Sequence, residues 1–306
     1  ISYEFEGGLN ETRYAQKIAE ANGWEFHRFK IKNGYLWDKI EKLSKITQCQ
    51  TEFTHPRQMA IIDEISNFGD IFLSGQWGDV LFDSFDMGKN DSLDMQIFKI
   101  IKLISKPGGV ELSNELWNYW GLDGEFKTNF YENIKTEFSK INIIESNARI
   151  RAFKSLHWAP RWANSNLRVF SNKKKVISPY YDNSMLNFIS TIPENLLNKR
   201  KIQIEYIKNN SHNLALIPWQ KYDLNLYRYQ KFNTLYFPRR VYRYSKRLYR
   251  EKILNKNKVI QRNWELQFSG EKNEKKLKEW LFETEELKDI VPINLIEKYF
   301  IKFKKV

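Results

Sequence analysis

Residues 70–83 read Asp-Ile-Phe-Leu-Ser-Gly-Gln-Trp-Gly-Asp-Val-Leu-Phe-Asp. A short apolar run, Ile71 to Leu73, breaks into Ser74-Gly75-Gln76-Trp77-Gly78-Asp79. That pattern is a buried strand ending in a small-residue loop that carries one acid. Glycine lacks a Cβ, so Gly75 and Gly78 are expected to let the backbone approach a ligand and expose its N–H groups. The carboxylate of Asp79 is of the type that holds a divalent cation on phosphate oxygens. The plainer reading of the same residues is a strand followed by an ordinary turn.

The flanking segments alternate strand and helix. Ile1 to Phe5 is strand-like. Asn10 is a helix-capping residue type, Glu11 suits a first helical turn, and Tyr14, Ala15, Ile18 and Ala19 form one apolar stripe. Asn22-Gly23 is a stop signal, and Trp24 to Ile31 reads as a second strand. Pro56 is expected to open a further helix with Met59, Ala60, Ile62 and Ile65 facing inward, closed by Gly69. Such alternation predicts an α/β fold with a doubly wound parallel sheet. Ligands of such sheets bind beyond the carboxyl ends of the strands, where Ser74 to Asp79 falls. By this reading 1–5, 24–31 and 71–74 are parallel neighbours in one sheet.

The chain has 306 residues, of which 42% are hydrophobic and 15% aromatic, enough for a substantial core. No apolar run reaches the roughly 18 residues that a membrane span needs, and no signal peptide is visible. The single cysteine, Cys49, excludes an internal disulfide and fits a reducing compartment, so a cytoplasmic location is expected. The first residue is Ile1, within what reads as a strand, and the natural N-terminus is expected upstream.

Residues 1–90 form the α/β portion and 91–225 a helical portion, followed by a basic, aromatic, helical extension over 226–306 with a break near Gly270. Within the second portion Met95 to Ile104 carries an apolar stripe that Lys106-Pro-Gly-Gly109 ends. The net charge of +13 is concentrated: residues 228–256 hold ten basic residues and one acid, Glu251, with five tyrosines interleaved and Tyr227 just before them. Cations alternating with stacking aromatics are one way to bind single-stranded nucleic acid or an anionic surface. No recognised nucleic-acid motif accompanies the charge. A solvated basic helix is therefore the favoured reading, and a nucleic-acid partner is disfavoured.

Four blocks of the sequence resemble, in order and spacing, the synthetase domain of asparagine synthetases, an ATP-pyrophosphatase of the adenylating type. Asn10 to Gly23, with His27 after it, is similar to the family's first helix and His-containing strand. Leu73 to Phe82 resembles L-S-G-E-G-x-D-E-L-F. Ser178-Pro-Tyr-Tyr-Asp182 is similar to P-F-L-D. Arg200-Lys201 through Ile217-Pro-Trp-Gln-Lys221 resembles the K…R…LP…R-x-K segment.

The resemblance implies a nucleotide-binding α/β fold of the adenine nucleotide alpha hydrolase type, ATP and Mg2+ as cofactors, and a small carboxylate substrate. The implied reaction is ATP-dependent amide synthesis, as in asparagine biosynthesis, with pyrophosphate release. It implies that Asp79 holds metal, that Lys221 and the residue at 76 act on the reacting groups, and that Phe5, Ser74, Gly75, Gly78 and Lys201 line the nucleotide. Asp182 is expected to brace the fold. Departures from the pattern are informative. The family's phosphate-binding S-G-G-x-D-S loop, which precedes the strand matched by 1–5, and its N-terminal glutaminase domain do not occur in this sequence. A glutaminase domain or another ammonia source is therefore an expected partner. The acids of the pattern are Gln76 and Val80 here. Gln76 hydrogen-bonds but is neither a base nor a good metal ligand. Two alternatives stand beside the ligase: a truncated or noncatalytic homologue used as a binding module, and a nucleic-acid-binding protein acting through 228–256.

Overall fold

The computed structural model describes the chain apart from residues 7, 9, 54–56, 89–90, 254–267, 269 and 305–306, and apart from the side chains at 239, 240, 243, 247, 250–252 and 304. The expected helix start at Pro56 and the end of the basic segment at Lys256 lie outside the described residues.

Strand β1 (Ser2–Phe5) pairs in parallel with β2 (Arg28–Ile31), Ser2 opposite Arg28 and Phe5 opposite Ile31, with helix α1 (Thr12–Ala21) crossing between them. Asn10 Oδ1 accepts from Arg13 N at 3.4 Å, a weak version of the expected cap. The second strand is shorter than predicted: Trp24 is 63% exposed and the ladder begins only at Arg28. Then follow α2 (Ile40–Thr47), a 3-10 turn over Arg57–Ile61 and α3 (Ile62–Ile65), which bury Leu43, Met59, Ile62 and Ile65. Apolar residues at helical spacing thus face inward as their pattern demands.

Strand β3 (Ile71–Leu73) departs from the expected single sheet. Its partner is β4 (Lys175–Ile177), also parallel, and the described strands form two two-stranded sheets rather than one continuous doubly wound sheet. The reason is packing. Phe72 stacks on Phe170 with ring centroids 3.9 Å apart, and Phe170 lies near the end of the helix that feeds β4. Both strand pairs nevertheless share one core, built from Phe5, Ile31, Met59, Ile62, Val169 and Phe170, with Phe72 and Val176 against it.

The crossover from β3 to β4 is long and helical. It runs through α4 (Gly78–Leu81), α5 (Leu93–Ile104), α6 (Gly109–Tyr119), α7 (Phe126–Ser139), α8 (Ser146–Phe153), one turn of π-helix (Lys154–Trp158) and α9 (Ala159–Ser171). Ser92 caps α5 through its Oγ, which accepts from Met95 N at 3.2 Å, and the helix stops at Ile104 ahead of Pro107, as the sequence indicates. Ile97, Ile100, Phe138 and Ile150 are fully buried and join Leu81 and Phe85 in a second core.

After β4 come α10 (Asn183–Thr191), α11 (Glu194–Leu197), α12 (Lys201–Asn210) and α13 (His212–Leu216). The remaining described helices are α14 (Phe237–Lys252), α15 (Glu271–Phe282), α16 (Glu285–Ile290) and α17 (Ile293–Lys304). The last of these return to the body of the fold. Trp37 meets Trp280 and Phe268 edge-on, Lys298 and Tyr299 both bond Glu115, and Trp120 Nε1 donates to Ile290 O at 2.8 Å. Among the described residues no helix is long and apolar enough to cross a membrane.

The short helix α4 is held by two buried side chains from α8. Arg151 donates to Val80 O at 3.3 Å and to Asp83 O at 2.9 Å, and pairs through both terminal nitrogens with Glu194. Asn147 Oδ1 accepts from Phe85 N and Met87 N at 2.9 and 3.2 Å. Removing one member of a buried ion pair leaves the other charge uncompensated, at a cost of about 3–5 kcal/mol. Arg151→Met is therefore expected to lose about that much in urea unfolding, and Glu194→Gln, which keeps an acceptor for the guanidinium, distinctly less. Equal losses would show that the charge of Glu194 rather than its acceptor oxygen is what matters.

A second prediction concerns acid. Hydrogen bonds from Lys39 and Lys42 hold the Asp63 carboxyl down to about 2, ahead of a small opposing burial effect. A depressed carboxyl favours the folded state above its unfolded value, near 4, and that contribution disappears as the pH falls towards 2. Asp63→Asn is expected to flatten the stability curve between about pH 4 and 2 and to leave its slope near neutrality unchanged. An unaltered acid limb would remove this triad from the account.

Candidate functional site

The loop after β3 is built by its own small residues. Ser74 is buried, donates its N–H to Ile177 O at 2.8 Å as the last rung of the β3–β4 pair, and accepts from Gln76 N through Oγ at 3.2 Å. The hydroxyl therefore shapes the turn. Gly75 is exposed, and a Cβ placed there meets nothing within 4 Å, so its backbone faces open space. Gly78 is different. A Cβ there would stand 2.7 Å from the Tyr180 ring, so this glycine answers to an aromatic neighbour rather than to a ligand.

Trp77 occupies a left-handed conformation, φ +77°, at the position where the pattern quoted above has glycine. A non-glycine residue there carries roughly 1–2 kcal/mol of strain. Its surroundings fix it. The indole is 5% exposed, its Nε1 donates to Ser155 Oγ at 3.1 Å, and it stacks on Tyr181 at 5.9 Å. Asp79 follows in the first turn of α4 and is exposed.

Two further groups face this loop that the sequence reading did not single out. Lys154, the first residue of the π-helical turn, is largely buried and lies 5.8 Å from the Trp77 ring centroid and 5.2 Å from that of Phe85. Burial lowers its pKa, and the Asp79 charge opposes that. Tyr181 is pushed up, first by burial and then by Asp79. Single π turns inside helices recur at functional positions. The only sequence signal was a lysine set in the aromatic run Ala152-Phe-Lys-Ser-Leu-His-Trp158. In the loop and the segment Ser178–Tyr181 beside it, Gln76 Oε1, Ser178 Oγ and Tyr181 Oη are buried without a hydrogen-bond partner among the described residues. Unmet polar atoms in a native interior call for an explanation, and a ligand is one.

The remaining expected residues fall around rather than on this cluster. Phe5 is a core side chain, 4% exposed, and its carbonyl already accepts from Gly8 N at 2.9 Å, so it faces the core rather than a ligand. Lys201 is exposed beside Arg200, whose Nε bonds Asp83 at 3.4 Å. Lys221 sits in a tight turn closed by Trp219 N donating to Leu224 O at 2.8 Å, with its Nζ 5.4 Å from the Tyr222 ring centroid. Asp223 in the same turn bonds Tyr14 of α1 at 3.0 Å. Among the described residues no hydrogen bond or ion pair joins Lys201 or Lys221 to Asp79. Neighbours of both lysines line a cavity of about 830 Å³, Arg200 and Ile202 beside Lys201 and Trp219 before Lys221, together with Phe82, Tyr180 and Met185; the Ser74–Asp79 loop does not line it. Asp182 braces the fold as expected: its Oδ1 caps α10 by accepting from Ser184 N at 2.8 Å, and hydrogen bonding from the Ser184 hydroxyl, then from its N–H, holds the carboxyl down. His27 packs on Phe68 and His157 on Phe153.

No group of three or more His, Cys, Asp or Glu among the described residues is arranged to hold a metal ion. The single carboxylate of Asp79 fits Mg2+ carried in on phosphate oxygens, which that ion tolerates, and not a resident all-protein cage.

A family model described as asparagine synthase matches residues 1–268 of the 306. The chain belongs to that family. No curated protein and no solved structure matches it.

The strain at Trp77 has a measurable signature. Truncating a buried tryptophan costs about 3–5 kcal/mol. Glycine, unlike alanine, also relieves the left-handed strain. Trp77→Gly is expected to be destabilised in urea unfolding, yet to remain about 1 kcal/mol more stable than Trp77→Ala, the reverse of the usual order. An alanine variant at least as stable as the glycine variant would show that the positive φ carries no strain.

Proposed function

From its membership of the asparagine synthase family, we propose that this chain is an ATP-dependent amide ligase. It adenylates a carboxylate, aspartate or a related acid, releases pyrophosphate, and passes the acyl group to ammonia or another amine. The observation that carries the proposal is the Ser74–Asp79 loop. It leaves the carboxyl end of a parallel strand, shaped by Ser74 and a strained Trp77, with one exposed carboxylate and one largely buried ammonium beside it.

The roles follow from the chemistry of the groups. When Mg-ATP is bound, the metal neutralises phosphate charge, and Asp79 is the carboxylate available to hold it. Gly75 presents backbone to the nucleotide from its open side. Lys154 holds an anionic oxygen of the reactants from a site largely shielded from water, where one charge acts more strongly than in solvent. Lys221 and Lys201 are assigned by the family pattern and act on the same charge once substrate draws their segments in. Gln76 offers a carboxamide in place of the acid of the family pattern, so it orients substrate and moves no proton. A glutaminase partner or free ammonia supplies the nitrogen.

The test is pyrophosphate release from Mg-ATP by the full chain across a panel of carboxylates, aspartate included. Asp79→Asn and Lys221→Met are each expected to lower turnover by about two to four orders of magnitude with little change in KM. Lys154→Met is expected to do the same, and Lys154→Arg to recover part of it. Their double mutants should lose less than the product of the single losses, because the groups stabilise one charge distribution. Gln76→Glu separates a decayed site, where restoring the acid raises asparagine formation, from a site for another acceptor, where it does not. Absence of pyrophosphate release with every acid would favour the noncatalytic homologue.

A further inference from the structure

Helix α14 runs from Phe237 to Lys252, and its first residues rest on the short turn Tyr229–Asn233. At 3.6 residues per turn, positions 237, 241, 244 and 248 fall within an arc of about 60°, and positions 239, 243, 246 and 250 within a similar arc on the opposite side. The first set is Phe, Val, Tyr and Leu; the second is Arg, Arg, Lys and Arg. The apolar arc is not consumed by the core. Phe237 is 53% and Val241 48% exposed, with Leu235 in the preceding turn exposed as well. Tyr242 and Tyr249 fall between the two arcs and are exposed too. Over the whole helix seven basic residues oppose a single acid, Glu251.

We propose that α14 seats this protein on an anionic lipid bilayer, its apolar arc entering the headgroup boundary and its basic positions neutralised by anionic headgroups. Two features choose a bilayer over a nucleic acid. Phosphate backbones reward cations alone, and Val241 and Leu248, which share the arc with Phe237 and Tyr244, add aliphatic surface that a bilayer buries and a nucleic acid does not. A helix with one apolar arc, one basic arc and tyrosines at their borders is the composition that lies flat in a membrane interface, where both halves are satisfied together. The proposal does not depend on the ligase reading, since none of the site residues lies on this helix.

The experiment is co-sedimentation of the full chain with vesicles of phosphatidylcholine alone and of phosphatidylcholine mixed with phosphatidylglycerol. Binding is expected to the mixed vesicles, at least about ten-fold stronger than to the neutral ones, and to weaken steeply with salt. Val241→Asp and Lys246→Glu, both at exposed positions, should each reduce it about ten-fold. Circular dichroism, thermal unfolding and pyrophosphate release should stay as in the parent chain. If Val241→Asp disturbs folding, Lys246→Glu alone decides. Equal binding to neutral and anionic vesicles, or undiminished binding by a folded variant, would overturn the proposal. So would salt-sensitive binding to a single-stranded oligonucleotide without vesicle binding, which would return the segment to nucleic acid.

Discussion

The buried guanidinium of Arg151 is the constraint on which the candidate site rests. Helix α4 has four residues, Gly78–Leu81, far too few to persist by its own hydrogen bonds. Its end leaves carbonyls without intrahelical partners. Arg151 takes two carbonyls from this stretch, Val80 O and Asp83 O, and turns its remaining donors on Glu194 of α11. One side chain thus ties the loop after β3 to a helix that follows β4 about forty residues beyond α8. Asp83 extends the tie by accepting from Lys199 N and Arg200 Nε. The orientation of Asp79 is therefore inherited from a polar network behind it, and a change in α8 or α11 reaches the site without touching it.

Strain and unmet polarity are concentrated on the other side of the same loop. Trp77 adopts a backbone conformation suited to glycine and is held there by burial, by Ser155 and by Tyr181. Lys154 lies over aromatic rings, where burial lowers its pKa, while three polar atoms of the loop and the segment beside it find no partner among the described residues. Each feature costs stability and neither is required by the fold. Their coincidence within one loop and its walls is what distinguishes the region from a well-made turn, and it is independent of any family pattern.

Local signals in the sequence were good guides wherever the deciding physics is local. The apolar stripe over 95–104, the stop before Pro107, the inward faces of Met59, Ile62 and Ile65, and the left-handed Gly69 that separates α3 from β3 all follow from residues close together in the chain. Pairing is not local. The partner of β3 lies about a hundred residues away and is selected by Phe72 meeting Phe170, which no periodicity encodes. Gly78 was legible as a glycine that must be one, but its reason, the Tyr180 ring, is a tertiary contact. Lys154 stayed hidden for a related cause: only the π turn carries it toward Trp77, and a π turn has no sequence period of its own.

The charge at the loop bears on how the proposed chemistry is run. A loop following the family pattern presents acids at 76, 79 and 80 and needs cations to offset them. Here glutamine and valine occupy two of those positions, leaving Asp79 alone, while Lys154 lies near enough to interact with its charge. A single carboxylate at the loop suits a metal that arrives on phosphate oxygens. The site also meets an incoming anion with one fixed ammonium already stripped of much of its water, so less reorganisation is needed as charge develops. On the proposed ligase reading, the absence of two acids of the pattern and the burial of one lysine act in the same direction, towards charge stabilisation by the protein.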